Sequence, residues 1–228
     1  MRATGAKLAS LLVLASLFAG CGSGRKPTVT TAFVEGAEFR ANGQKGTITI
    51  VDLGTITFPS GRVAPKDTMM LDVGAPLERE VPRRQAKATA AVARFSNGDE
   101  RVAFLRIRFR DSVVVKHELA KRLISGEWHE SYREAYPVDS GYGGFVDYAA
   151  QTNVNKALDD RSTPGAKQIH DDLKGRWKNT WSWANVEILP DIRLLAVSSG
   201  FGDGAFKTYY GLDSAGEIVE LVTDFDVL

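Results

Sequence analysis

The sequence predicts an α+β fold: a single domain dominated by antiparallel β-sheet, sandwich- or barrel-like, with one or two helices packed on it. Two observations predict the sheet, namely a pair of hairpin patterns and a succession of short apolar runs separated by turn residues. One segment with helical periodicity predicts the packed helix. The hydrophobic content of 43% over 228 residues is sufficient for a sizeable core.

The first hairpin joins residues 87–95 to residues 101–110 through Asn97-Gly98. Asn-Gly is the strongest short-range hairpin signal, because both central residues of a type I′ turn have positive φ. A two-residue turn pairs Ala90 with Leu105 and Ala88 with Ile107, so small residues face large ones.

The other face of this hairpin carries Arg106, Arg108 and Arg110. Arginines at period two could bind phosphate. They fit equally well on a solvated strand face that meets acidic neighbours, and we favour that interpretation.

Residues 164–180 form the clearest predicted helix. Pro164 suits a first turn, and Ala166, Ile169, Leu173 and Trp177 recur at spacings of three and four, which places them on one face. A second helix is expected from Asp147 to about residue 158.

The chain begins like a secreted protein. Arg2 and Lys7 precede a short apolar run at 8–18, which is typical of a secretory signal and too short to span a membrane. The run ends in Ala19-Gly20-Cys21, which resembles a bacterial lipobox, although an ordinary cleaved signal is the alternative. We therefore expect a signal peptide at 1–20, lipidated Cys21 with a flexible tether at 21–46, and a globular domain at 47–228. A short edge strand around 32–39 is the alternative for part of the tether.

This organisation predicts an extracytoplasmic lipoprotein of the bacterial cell envelope, held to the membrane by its lipid anchor. Cys21 is the only cysteine, so lipidation leaves no thiol for a disulfide or a nucleophile. The formal charge is +1, and removing residues 1–20 leaves a net charge near −1. Nucleic acid is therefore not an expected partner.

Two glycine-rich turns are the candidate functional segments. The first contains Gly200, Gly202 and Gly204 with Asp203 between the last two, and it lies between β-like runs at 192–198 and 205–212. Glycine permits positive φ and close approach of a ligand. The second turn lies within 136–147 and is flanked by Asp139 and Asp147.

A second hairpin follows the first of these turns. A turn at 213–216 places Lys207, Tyr209, Glu220 and Asp224 on one face, beside Asp203, and we expect these groups to form one ligand-binding site. Asp139, Asp147, Asp203 and Asp224 could converge for acid–base chemistry. The alternative, which we favour, is that aspartates in such turns cap the backbone through Asx hydrogen bonds.

Three blocks of the chain resemble a bacterial family of unknown function, number 4241. They lie at 53–67, 136–147 and 185–228, and they contain Gly-Thr-Ile-Thr-Phe-Pro-Ser-Gly-Arg-Val, Val-Asp-Ser-Gly-Tyr-Gly-Gly-Phe-Val-Asp and Val-Ser-Ser-Gly-Phe-Gly-Asp-Gly. The resemblance implies one β-rich domain and marks both glycine–aspartate turns as family features. It implies no activity. Where the family has Cys-Asp-Pro, this chain reads Lys66-Asp67-Thr68, and we assign that turn no role.

The sequence carries no strong catalytic signature: it lacks a Walker loop, a Gly-x-Ser-x-Gly elbow and a cysteine-based metal site. His117-Glu118 begins like a zinc-protease motif, but Lys121 stands where the second histidine would be. No cofactor and no metal site is predicted. Two function classes remain, a membrane-tethered module that binds a protein or small molecule, which we favour, and a hydrolase using the clustered aspartates, with or without a divalent metal.

Overall fold

The structure, a computed structural model, describes residues 26–83, 85–124 and 130–228. The predicted signal sequence and Cys21 lie outside the described residues. In chain order the strands and helices are β1 (Glu38–Ala41), β2 (Gln44–Ile56), β3 (Val63–Asp67), β4 (Ala86–Phe95), β5 (Glu100–Arg108), β6 (Lys116–Leu119), α1 (Glu130–Glu134), β7 (Ala135–Val138), β8 (Tyr142–Asp147), α2 (Gln151–Asp159), α3 (Pro164–Gly175), β9 (Trp183–Leu189), β10 (Ile192–Ser198), β11 (Gly204–Leu212) and β12 (Ile218–Asp224).

These strands form two antiparallel sheets. The larger sheet has the order β1-β2-β4-β5-β12-β11-β6, with β7 also paired to β11, and it curls into a half-barrel. The smaller sheet has the order β3-β8-β10-β9. The predicted α+β fold dominated by antiparallel sheet is confirmed.

The smaller sheet is the middle of three layers, because its strands are apolar on both faces. Leu195 and Val197 of β10 join the core that lies against the larger sheet. Their neighbours Leu194 and Ala196 join a second core with Ile169 and other residues of α2 and α3. This alternation follows from the period of two along a strand. It places the larger sheet and the helices on opposite faces of the smaller sheet.

Helix α3 confirms part of the predicted pattern. Ala166, Ile169 and Leu173 are buried, and the Thr163 hydroxyl caps the helix by accepting from the Ala166 N–H at 3.2 Å. The expectation that Trp177 shares this face is wrong. The helix ends at Gly175, a poor helix former, and Trp177 lies beyond it with 55% of its surface exposed.

The hairpin of β4 and β5 has the predicted register but a different turn. Ala90 pairs with Leu105 and Ala88 with Ile107, as expected. However, only Gly98 has positive φ, at 89°, and the Phe95 N–H donates to the Asp99 carbonyl, so the loop has three residues. A bulge next to the Ala91–Phe104 pair shifts the register by one residue and restores the predicted pairs.

The described part of the predicted tether belongs to the folded domain, which corrects the expectation of a flexible segment at 21–46. Strand β1 pairs with β2, and Ala32, Phe39 and Ala41 are buried. The connecting Asn42 and Gly43 have φ of 52° and 76°, so the type I′ Asn-Gly turn expected at 97–98 occurs here.

Candidate functional site

The two glycine-rich turns lie side by side at one end of the smaller sheet. The Ser199 N–H donates to the Gly141 carbonyl at 2.9 Å, and a Cβ on Gly141 would lie 3.9 Å from Gly202 Cα. We call this pair the twin turns, in chain order: residues 139–141 are the first and residues 199–204 the second. The sequence singled out both segments as candidates, and the fold brings them into contact.

Packing explains two of the three glycines in the second turn. Gly200 has φ of 58°, and a Cβ there would lie 2.6 Å from the Phe225 carbonyl oxygen. A Cβ on Gly204 would lie 2.7 Å from the Phe206 ring. Gly202 has φ of 115° but open space around it, so its requirement is conformational. These glycines therefore seat the C-terminal strand and are not needed for close approach of a ligand.

A buried carboxylate that the sequence analysis passed over, Asp67, holds the first of the twin turns. Its Oδ2 accepts from the N–H groups of Asp139 and Ser140 at 2.8 and 2.7 Å. Its Oδ1 accepts from the Ser140 hydroxyl at 2.5 Å and from the N–H groups of Met69 and Met70. The signal that could have found it is an aspartate at the end of an apolar strand, a usual place for such capping.

The neighbouring Lys66 fixes the adjoining loop. Its buried ammonium donates to the carbonyls of Met70 and Asp72 at 2.8 and 2.7 Å and to Asn155 Oδ1 at 3.2 Å. Burial lowers the pKa of Lys66. All three donors are satisfied, so this lysine is structural, and the Lys66-Asp67-Thr68 turn has the role that the resemblance did not assign.

Asp147 does not join the twin turns, contrary to the convergence considered from the sequence. It is buried at the far end of β8, where its carboxylate accepts from the N–H groups of Ser60 at 2.8 Å and Ala149 at 3.0 Å. It lies at the last of the six residues of β8, six positions from Gly141 of the first turn, which is roughly 20 Å at the usual rise. The capping interpretation is right for this residue.

The polar face of the C-terminal hairpin exists but is spread along the strands. Lys207 lies opposite Asp224 and Gly211 opposite Glu220, with a bulge before Leu212. Burial raises the pKa of Asp224 to about 6, and its Oδ1 accepts from the Asp226 N–H at 2.9 Å. Tyr209 is half-buried between these positions, and desolvation raises its pKa.

Glu220 lies at the other end of this face, in a separate cluster. Its Oε2 accepts from Arg108 Nη1 at 2.6 Å, and its Oε1 lies 3.3 Å from His117 Nε2. Four residues of β11 separate this level from Lys207, about 13 Å. The predicted groups therefore share a face, as expected, without converging into one site.

Asp139 and Asp203 are the carboxylates that remain at the twin turns. Both are exposed, and within 26–83, 85–124 and 130–228 neither side chain makes a hydrogen bond or ion pair. The capping interpretation therefore does not apply to them. Across the same described ranges, no three His, Cys, Asp or Glu side chains are grouped to hold a metal ion.

A groove of about 580 Å³ runs between the first of the twin turns and α3. Its walls are mostly apolar, and its lining residues are Met69, Ser140, Tyr142, His170, Leu173, Lys174 and Trp177. We call it the α3 groove. His170 and Lys174 are exposed at its rim, and burial raises the pKa of Tyr142. An aromatic wall beside the ammonium group of Lys174 can bind an apolar group that carries negative charge.

The arrangement defines a β-rich α+β domain whose paired glycine turns border an amphipathic groove. The chain belongs to the family described as a protein of unknown function (DUF4241), whose model matches residues 56–223. The resemblance inferred from the three sequence blocks is confirmed. No curated protein and no solved structure matches the chain.

Proposed function

We propose that this protein is a lipid-anchored binding module of the bacterial cell envelope that holds its ligand in the α3 groove. The observation that carries the proposal is the composition of that groove. Trp177, Met69 and Leu173 offer apolar surface, while His170 and Lys174 offer hydrogen bonds and positive charge at the rim. We infer that the ligand is a small molecule or protein segment with an aromatic or aliphatic group beside an anionic group.

The exposure of Trp177 supports this assignment. A tryptophan that leaves 55% of its surface in water contributes little to the core, and exposed aromatic residues beside a concave surface are enriched where proteins bind partners. Asp139 and Asp203, on the adjoining twin turns, add unpaired negative charge nearby. They would disfavour ligands with negative charge at that end and so set ligand orientation.

The hydrolase alternative receives no such support. Acid–base work by paired carboxylates requires two of them close together. Among the residues described, Asp147 caps a helix and Asp224 accepts from the nearby backbone, and neither bonds to Asp139 or Asp203.

A probe that matches the groove tests binding. The fluorescent sulfonate 8-anilinonaphthalene-1-sulfonate is aromatic and anionic, and it should bind the folded chain saturably. We expect Trp177→Ala and Lys174→Gln each to weaken its binding at least fivefold in a fluorescence titration, because one removes apolar contact and the other positive charge.

Matched controls are available on the same elements. Lys167→Gln removes an exposed lysine of α3 that does not line the groove. Val115→Ala removes an exposed apolar side chain that is also outside the groove lining. Both should bind the probe like the parent. Equal binding by all four variants, with circular dichroism showing each to be folded, would refute the α3 groove as the binding place.

The anchor is tested separately. Its support is the sequence pattern of Arg2, Lys7 and the apolar run ending at Cys21. No helix in the described part of the chain is long and apolar enough to cross a membrane. Mass spectrometry of native protein should find an acylated N-terminal Cys21, and Cys21→Ser should move the protein from the membrane fraction to the soluble one. An unmodified cysteine thiol in the mature protein would contradict the proposal.

A further inference from the structure

A second, smaller cavity lies under the N-terminal segment, away from the α3 groove. It encloses about 170 Å³ and is lined by Val29, Thr30, Phe33, Val34, Arg106, Arg108, Val114, His117 and Glu220. Residues 28–34 cover it, and Ala32 ties that segment into the core. We call the charged set Arg106, Arg108, His117 and Glu220 the arginine cluster.

Arg108 and Glu220 satisfy one another in this cluster. Arg108 donates from Nη1 to Glu220 Oε2 at 2.6 Å and from Nη2 to the Ser112 carbonyl at 2.7 Å. Burial opposes ionisation of Glu220, but the His117 hydrogen bond and the two arginines hold its pKa below the usual value. Glu220 is therefore a carboxylate whose oxygens are already engaged.

Arg106 differs from Arg108 because its charge is not paired directly. Its Nε donates to Thr89 Oγ1 at 3.2 Å, and its guanidinium stacks on the Phe33 ring with 4.1 Å from Cζ to the ring centroid. Neither Nη1 nor Nη2 has a hydrogen-bond or ion-pair partner within the described parts of the chain. The terminal nitrogens of this cavity-lining guanidinium are thus without an acceptor among the described residues.

The charge balance points to the missing partner. Arg108 has two carboxylates in reach, Glu220 in the lining at 2.6 Å and the exposed Asp111 at 4.0 Å, whereas Arg106 is ion-paired with neither. His117 adds an imidazole nitrogen within the same lining. Burial lowers the pKa of Arg106, which means that its charge is incompletely solvated. A bound anion would supply the counter-charge and accept from both terminal nitrogens, a geometry that arginine offers to oxyanions.

We propose that the arginine cluster binds one phosphate-sized oxyanion, held by the terminal nitrogens of Arg106 and enclosed by Phe33. The size agrees, since a water occupies about 30 Å³ in the liquid and the cavity has room for a few waters or one tetrahedral oxyanion. Phe33 stacks on the guanidinium and so restricts the orientation of its plane. This site is independent of the α3 groove.

Calorimetric titration of the full chain with inorganic phosphate, at constant ionic strength set by chloride, tests the proposal. The parent should bind one phosphate per chain saturably. Arg106→Gln should weaken binding at least tenfold, because it removes the charge and both terminal donors.

Arg101→Gln is the matched control. Arg101 lies on the same strand, is half-buried and also stacks on a phenylalanine, Phe201, at 5.1 Å, but its Nε pairs with Asp99. This variant should bind phosphate like the parent. No saturable binding by the parent, or equal losses in the two variants, would overturn the proposal.

The Glu220→Gln variant is an independent test of phosphate binding, which still applies if Arg106→Gln does not fold. It keeps the side-chain shape and removes the negative charge nearest the site, so phosphate should bind several-fold more tightly. Unchanged or weaker binding in a folded Glu220→Gln variant would overturn the proposal.

Discussion

A buried and a half-buried aspartate show opposite consequences of desolvation at the level of single residues. Asp67 accepts five hydrogen bonds, four of them from backbone N–H groups around the first of the twin turns. Hydrogen bonds to the charged form compensate for burial. Asp224 accepts one, from the Asp226 N–H, and faces the like charge of Asp226. The first carboxylate organises the candidate site, and the second costs stability at neutral pH.

The cost at Asp224 predicts a pH-dependent variant. Burial raises the pKa of this carboxyl from 3.8 to about 6. The folded protein therefore keeps a proton that the unfolded chain releases, and the resulting stability is full below about pH 4 and lost as pH rises through 6. Asp224→Asn should stabilise the fold at pH 7.5 by about 1 kcal/mol, a figure reduced for partial solvent exposure.

Urea unfolding at several pH values measures this effect. The advantage of Asp224→Asn over the parent should shrink as the pH falls from 7.5 to 4, since the parent carboxyl is then protonated as well. Asp139→Asn, at an exposed carboxylate without a side-chain partner, is the control and should be neutral at both pH values. A stabilisation by Asp224→Asn that grows toward low pH would contradict a raised pKa of Asp224 in the folded protein.

At the level of elements, the N-terminal hairpin is an addition to the predicted domain, since the sequence indicated no more than a short edge strand around 32–39 in this region. Phe39 is buried against the Phe95 ring, with centroids 5.4 Å apart, and it covers Gly46 so closely that a Cβ there would lie 2.4 Å from it. Phe39→Ala should therefore lower the free energy of unfolding by about 3–5 kcal/mol. Arg40→Ala, the exposed neighbour on the same strand, should change it by less than about 0.5 kcal/mol.

The same contacts predict the behaviour of a shortened chain. A protein beginning at residue 47 loses β1, and with it the burial of Phe39 and Ala41, so it should melt well below one beginning at residue 26. Thermal scans of the two proteins measure the difference. Identical melting temperatures would show that the hairpin is dispensable and restore the flexible-tether interpretation.

The elements that could be predicted are those set by local chemistry. The position of Asn97-Gly98 predicted which residues of β4 and β5 pair, and helical spacing located the buried face of α3. Two of the three arginines predicted on this face meet acidic neighbours as expected: Arg108 of β5 pairs with Glu220, and Arg110, just after the strand, lies 4.0 Å from Asp213 and 3.5 Å from Glu217. Arg106 has no ion pair within the described residues.

What could not be predicted depends on compensating or long-range geometry. The three-residue loop at Gly98 and the bulge beside Ala91 cancel, so the pairs were right although the turn was wrong. The same limit applies to the site. A shared strand face is a local property, whereas the spread of Asp203, Asp224 and Glu220 along the sheet depends on strand length and on bonds such as that from Arg108.

At the level of the whole molecule, polar bonds fasten the two sheets to each other across the core. Asn185 of β9 is the clearest case: its Nδ2 donates to the carbonyls of Leu53 and Thr55 at 2.8 and 2.9 Å. These carbonyls are available because β2 has a register irregularity between Asp52 and Thr55. Asn185 Oδ1 accepts from Arg193 Nε at 2.9 Å. The side-chain amide of Asn185, on the smaller sheet, thus supplies the hydrogen bonds that two carbonyls of the larger sheet lack at this irregularity.

This link predicts that the two sheets unfold as one unit and that Asn185 contributes to the stability of both. Asn185→Leu leaves two carbonyls without their donor, and each unsatisfied buried group costs about 1–3 kcal/mol. The variant should therefore lose about 2–4 kcal/mol of unfolding free energy. Asn153→Leu, at an exposed position of α2, is the matched control and should unfold like the parent. Trp183 lies on β9, and Trp181 just before it donates from Nε1 to Glu100 Oε2 of the larger sheet at 3.1 Å, so fluorescence reports on the smaller sheet and its contact with the larger one. Far-UV circular dichroism reports on both sheets together. In the parent the two signals should give coincident urea transitions. In Asn185→Leu they should move together to lower urea, whereas an earlier fluorescence transition would show that the smaller sheet and its helices unfold independently of the larger sheet.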